Sequence, residues 1–201
     1  MRLTTALLAI VVLATACSTE QPATTTTTPA PLAALELATD GLGDVEFGLS
    51  PEAVIADISA LYGEPDHDSG WIPAEPNIYG TCPGDGMRAI GWGSLVTLFT
   101  VDATSDLGGW FFAWTFGYDY TQNAGGIDPR NMDLSTAEGI GLGSTVAELE
   151  AALGTGLTIV GDETLDVWTF TAAQDGWRGL LSGGTQDDTV TLIESIDGCG
   201  E

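Results

Sequence analysis

The segment GEPDHDSGW sets Asp66, the chain's single histidine His67, and Asp68 side by side. Two carboxylates and an imidazole are ligands for a divalent cation, and Asp66-x-Asp68-x-Gly70 has the start of a calcium loop. The later acidic ligand that such a loop requires is missing. Neighbouring side chains on an extended backbone also point apart, so the segment reads as an acidic turn and no metal site is expected. The same histidine would have to serve any Ser-His-Asp triad, and no nucleophile motif accompanies it. Gly139, Gly141 and Gly143 precede a helix pattern, but with no lysine and no long apolar strand before them they do not make a phosphate loop. The acidic clusters Asp162, Glu163, Asp166 and Asp187, Asp188 read as hairpin turns. Nothing singles out a carboxylate pair for glycoside hydrolysis. No catalytic residue and no cofactor site emerges from this inventory.

The three cysteines carry more information. The chain opens MRLTTALLAIVVLATACSTE, with one arginine, an apolar run over residues 6–14 and small residues up to Cys17. That run is short of the roughly 20 apolar residues a bilayer span needs, and it reads as a secretory signal that is removed. Ala14-Thr15-Ala16-Cys17 resembles a bacterial lipobox, with Ala14 where Leu is usual and Leu13 one place earlier. The resemblance implies that residues 1–16 are cleaved and that Cys17 becomes the acylated first residue. Each methylene of the acyl chains then contributes about 0.8 kcal/mol of membrane anchoring. The Thr- and Pro-rich residues 17–36 have almost no large apolar side chains to offset their ordering entropy, and they read as an extended tether. Cys82 and Cys199 remain, and in an oxidising compartment a leftover pair forms a disulfide.

Charge narrows the partners. Lysine and arginine total 4 against 29 acidic residues, a formal net charge of −25, and there is no lysine. Such a surface repels phosphate backbones, so no nucleic acid partner is expected; a basic or sugar-like partner is compatible.

The stretch GWFFAWTFGYDY places Trp110, Phe112, Trp114, Phe116, Tyr118 and Tyr120 at alternate positions, hence on one face of a strand. Burying each ring fully is worth about 1.5–3 kcal/mol. A sheet beneath amphipathic helices needs such a face, so the part from Trp110 to Phe116 is expected in the core. The two tyrosines, beside Asp119 and Gln122, are expected to emerge at the sheet edge. There, with Trp71 and Trp92, they would line a partner surface.

Two helix patterns position these groups. In FGLSPEAVIADISALYGEP, Ser50 caps, Pro51 takes the first turn, Val54, Ile58 and Leu61 form the stripe, and Gly63 stops it. In GIGLGSTVAELEAALGTG, Ser144 caps, Val146, Leu149 and Leu153 form the stripe, and Gly154 ends it. Strand-like runs follow each: MRAIGWG, SLVTLFTVD and GWFFAWTFGYDY after the first; GLTIVG, LDVWTFT, WRGLLSG and TVTLIESI after the second. The expected fold class is α+β, with two similar halves, each a short helix packed on an antiparallel sheet, over residues 37–134 and 135–201. A single α+β sandwich without duplication is the alternative.

The run Gly48-Leu49-Ser50-Pro51-Glu52, then Val54, then Leu61-Tyr62-Gly63-Glu64-Pro65 resembles the opening helix of the SmpA/OmlA-type lipoprotein domain and of the beta-lactamase-inhibitor-protein-like fold. A looser echo falls at residues 141–154, without the closing proline. The resemblance implies an antiparallel sheet carrying one or two short helices and a non-catalytic, partner-binding role. The expected protein is thus a lipid-anchored, extracytoplasmic binding module of the bacterial cell envelope, with a membrane contact through its lipid and an envelope protein or sugar-like ligand as partner. A secreted hydrolase acting on envelope polymers through acidic residues is the competing expectation. Substituting Cys17→Ala should move the protein from the membrane fraction to the soluble one; retention of the variant on membranes would refute the anchor.

Overall fold

The structure, a computed structural model, describes residues 34–104, 108–117, 132–162, 164–172, 176–195 and 198–200, all within one unit, Leu32–Glu201. Cys17, Tyr118 and Tyr120 lie outside the described residues. Three two-residue strands come first, β1 (Leu37–Ala38), β2 (Gly41–Leu42) and β3 (Val45–Glu46), forming a small antiparallel sheet. Helix α1 (Pro51–Tyr62) follows, then β4 (His67–Asp68), β5 (Ile72–Pro73), β6 (Gly86–Trp92), β7 (Leu95–Val101) and β8 (Trp110–Phe116). Helix α2 (Val146–Leu153) leads through a short 3-10 turn into β9 (Leu157–Asp162), β10 (Val167–Ala172), β11 (Trp177–Leu181) and β12 (Val190–Ser195). The molecule is α+β: mostly antiparallel sheet with two short helices.

The nine strands from β4 onwards form one sheet in the order β4-β6-β7-β8-β12-β11-β10-β9, with β5 also paired to β6. Paired residues share a face, so transverse rows can be followed across it. One row runs Ile159, Phe170, Gly179, Ile193, Phe116, Leu95, Trp92 through seven strands. Apart from the glycine, every member belongs to or packs against the main core. Gly179 is required in that row because a Cβ there would collide with the Phe170 ring and the Leu192 carbonyl. Both helices lie on this face: Val54 and Ile58 of α1, and Val146 and Leu149 of α2, enter the same core, as do Leu35, Leu37, Leu42 and Val45 of the N-terminal segment. Leu35 thus joins the core from within the span read as tether.

Several local expectations are corrected. Leu61 does not complete the α1 stripe; it is 39% exposed while Tyr62 packs on the core. At about 100° per residue, Pro51, Val54, Ile55, Ile58 and Tyr62 centre the buried arc on the far side of Ile58 from Leu61. Helix α2 is capped by Thr145, not Ser144: the Thr145 hydroxyl accepts from Glu148 N, and the Glu148 carboxylate accepts from Thr145 N at 2.8 Å, a reciprocal capping box. Ser144 Oγ instead accepts from Gly141 N at 3.1 Å.

The aromatic run is the larger correction. Trp114 and Phe116 are buried in the main core as expected, but the third ring of β8 in that core is Phe111, not Phe112. Leu98 pairs with Ala113 and the next residue, Phe99, pairs with Phe111, so β8 carries one extra residue. A bulge of this kind reverses the alternation beyond it. Phe112 and Ala113 therefore both turn to the opposite face, where they join a second, smaller core.

That second core covers the other face of the sheet only over β6–β8. It is made by Met87, Ala89, Val96, Leu98 and Ala113 from the strands, and Ala74, Tyr79 and Cys82 from the overlying loop. The loop is held by the expected disulfide, Cys82–Cys199, which spans 117 residues. Around it Thr81 and Gly200 exchange two backbone hydrogen bonds, of 2.7 and 2.9 Å. In the chain-entropy account, closing a loop of this length destabilises the unfolded state by about 4.7 kcal/mol. Replacing both cysteines by serine should lower the unfolding free energy by about 3–5 kcal/mol in urea titrations, an effect that reductant reproduces in the parent. A loss under about 1 kcal/mol would show that the staple does little.

Candidate functional site

The acidic turn resolves into three separately engaged side chains. Asp66 Oδ2 accepts from Gly93 N at 2.7 Å. His67 and Asp68 pair with Gly91 and Ile90 of β6 and so point to opposite faces. His67 Nε2 shares a 2.6 Å hydrogen bond with the Tyr79 hydroxyl. Burial, then the charge of Asp68, holds the Tyr79 phenol above its ordinary pKa, which keeps the proton available to donate. Asp68 receives both Nε and Nη2 of Arg88, at 2.9 and 2.7 Å, and also Gly70 N. That ion pair lowers the Asp68 pKa below its usual value and raises that of Arg88. The cluster organises a turn; among the described residues no three His, Cys, Asp or Glu side chains converge as a metal site would need.

Of the four rings expected to share a partner surface, Trp71 and Trp92 lie among the described residues. Trp92 is fully buried, its indole N–H donating to Gly63 O at 2.9 Å just past the end of α1. Its place in the long core row leaves it no route to solvent. Trp71 is 42% exposed. It is seated over Gly86 and over Gly109, whose φ of +99° and lack of Cβ admit the ring. Tyr118 and Tyr120 are outside the described residues.

A groove of about 580 Å³ is lined by Ser94, Phe116, Met132, Asp133, Ser135 and Ser144, among others. It offers three hydroxyls and, among its described lining residues, a single carboxylate, Asp133.

The largest opportunity is one the aromatic content concealed. Beyond the seam with β8, the face of β9–β12 that points away from the helices has no covering element among the described residues. Two rows cross it. The first is Val160, Thr169, Leu180, Leu192, and its aliphatic members grow more exposed towards the edge, from 9% at Leu192 through 38% at Leu180 to 61% at Val160. The second is polar: Thr158, Thr171, Arg178, Glu194, Thr115. Within it Arg178 Nε donates to Glu194 Oε1 at 2.8 Å. With strands about 4.8 Å apart, each row extends some 14–19 Å, enough for one extended peptide or one helix. Alternation within LTIVG, WTFT and RGLL was the available signal: one set of residues faces the core, and the other set needs an explanation. No protein-family model, curated protein or solved structure matches the chain.

Because the folded-state pKa of Asp68 is depressed, its ion pair adds stability at pH values above the unfolded carboxylate range, and this is lost as pH falls through the lowered value. The pair is partly exposed, which limits it to about 1 kcal/mol or less. Asp68→Asn should therefore be slightly less stable than the parent at pH 7. The gap should close as pH drops below about 3.9. Urea midpoints measured across that range check this, and a gap that persists unchanged in acid would show that Asp68 acts other than through its charge.

Proposed function

We propose that the chain is a lipid-anchored, extracytoplasmic binding module of the cell envelope, and that it engages a protein partner through the open face of β9–β12. The observation that carries this reading is the uneven covering of one sheet: both faces are buried over β6–β8, and only one over β9–β12. Three of the exposed large apolar side chains, Val160, Val167 and Leu180, lie on these strands. Isolated exposed aliphatics are ordinary, whereas a graded row of them interleaved with threonines is the composition of a contact surface that stays soluble when free. The face carries no ring over β9–β12, since Trp168, Phe170 and Trp177 all turn to the core side. Stacking on a sugar therefore has no platform here, and a polypeptide fits better.

The disulfide supports an oxidising, exported location. The order of elements, α1 then β6–β8 and α2 then β9–β12, supports two related helix-plus-sheet halves along the lines that the lipoprotein and inhibitor resemblance implies. In this reading the first half is closed by its disulfide-held loop and the second is left available. Hydrolysis of envelope polymers takes a facing pair of carboxylates, and the groove at Asp133 supplies one among its described lining residues; the binding reading accounts for more of the described surface.

A photo-crosslinking side chain placed at Thr169 in intact cells should capture a partner protein, and one placed at Leu61 on α1 should not. Adding Val160→Asp and Leu180→Asp should reduce the Thr169 adduct at least tenfold without releasing the protein from membranes. Capture from Leu61 with none from Thr169 would put the contact elsewhere and refute the assignment.

A further inference from the structure

Strand β9 ends the sheet, and its outer edge differs from the opposite margin. At that margin the sheet terminates in two strands of two residues, one of which ends in Pro73. Short strands and proline are standard protections against unwanted pairing. Strand β9 has neither. It pairs with β10 over all six residues without a register shift, and LTIVGD contains no lysine, proline or bulge. Among the described residues no other strand or isolated bridge occupies its outer side. A full-length, regular edge next to an uncovered, partly apolar face is a template for an added strand.

We infer that β9 accepts an extended, cationic segment of a partner protein as a tenth strand of the sheet. This rests on the binding-module reading and specifies how the partner sits. The choice of occupant follows from charge. Asp162 closes the strand on the open face, and Asp166 stands in the following turn. The one arginine within β9–β12, Arg178, is already bound to Glu194. A second copy of this chain would bring −25 against −25, whereas a lysine- or arginine-bearing strand is drawn to the edge and relieves that repulsion. The incoming strand would place an aliphatic residue beside Val160 and a cation beside Asp162, with its backbone supplying the hydrogen bonds.

The test uses the full-length protein and four synthetic seven-residue peptides. One reads Thr-Lys-Thr-Val-Thr-Lys-Thr, which sets the valine and both lysines on one face of a strand, one has glutamate in place of lysine, and two are lysine-valine versions N-methylated either at the lysines and valine or at the threonines. Fluorescence anisotropy should show the lysine-valine peptide binding at least tenfold more tightly than the glutamate version, with affinity falling as salt rises. Because only one edge of an added strand faces β9, one methylated peptide should lose binding and the other should keep it. Hydrogen exchange of amides in Leu157–Asp162 should slow on binding, and Val160→Lys should weaken it about tenfold. Equal binding of the glutamate peptide, equal loss with both methylated peptides, or protection appearing away from β9 would overturn the proposal. So would sedimentation showing self-association that Val160→Lys abolishes, which would make a second copy the occupant. Thr169 crosslinking separates the two levels: a partner captured there with no edge protection by peptide retains the binding face and rejects the added strand.

Discussion

Strands β8 and β12 meet over only two residue pairs, Phe116 with Ile193 and Thr115 with Glu194, and that seam makes one sheet out of two antiparallel runs. On one face it passes the core row from Ile193 to Phe116; on the other it passes the polar row from Glu194 to Thr115. Trp114 N donates to Ser195 Oγ at 3.1 Å and extends the seam by one position through a side chain. Without this junction α1 and α2 would each cover a separate sheet, and the common core that joins Ile58 to Leu149 would have no continuous floor. The partners are about 80 residues apart along the chain, so the contact forms only after considerable loop-closure entropy has been overcome. The disulfide, spanning an even longer interval, helps by restricting the unfolded chain.

The two faces of the sheet are treated differently because the chain has a limited supply of material to cover them. One face receives both helices and the N-terminal strands. The other receives the loop carrying Ala74, Tyr79 and Cys82, which reaches as far as β8. Glu194 and Arg178 mark where cover ends, since a charged pair is stable there only with access to water. The gradient from Leu192 to Val160 is then the ordinary consequence of leaving a closed region for an open one.

Much of this was legible in the sequence. Alternation in SLVTLFTVD and LDVWTFT, the Ser50-Pro51-Glu52 start and the pairing of the last two cysteines are each governed by interactions that are local or have one solution. The misses share a cause in which a neighbouring strand decides. The bulge at Phe112 depends on how Phe99 pairs, and no residue type in GWFFAWTF announces it. Leu61 loses its place because the buried arc of α1 is set by the sheet below. Thr145 is different: Thr-x-x-Glu was readable as a capping box, and the adjacent serine obscured it. Trp92 looked available because an indole suits a surface, yet its β6 alternation with Ile90 already placed it on the face that α1 covers. The open face was the hardest part to see, since its function depends on an absence of cover that only the assembled sheet reveals.

The two arginines within the described residues, Arg88 and Arg178, both lie inside paired strands, and both are clasped by carboxylates. There is no lysine anywhere in the chain. A protease that cuts after basic residues must draw an extended, accessible segment into its cleft, and within these strands it would have to peel the sheet apart to do so. Over the described body, therefore, the scarcity of cations that makes the surface strongly acidic also removes the usual points at which trypsin-like enzymes start to digest a protein.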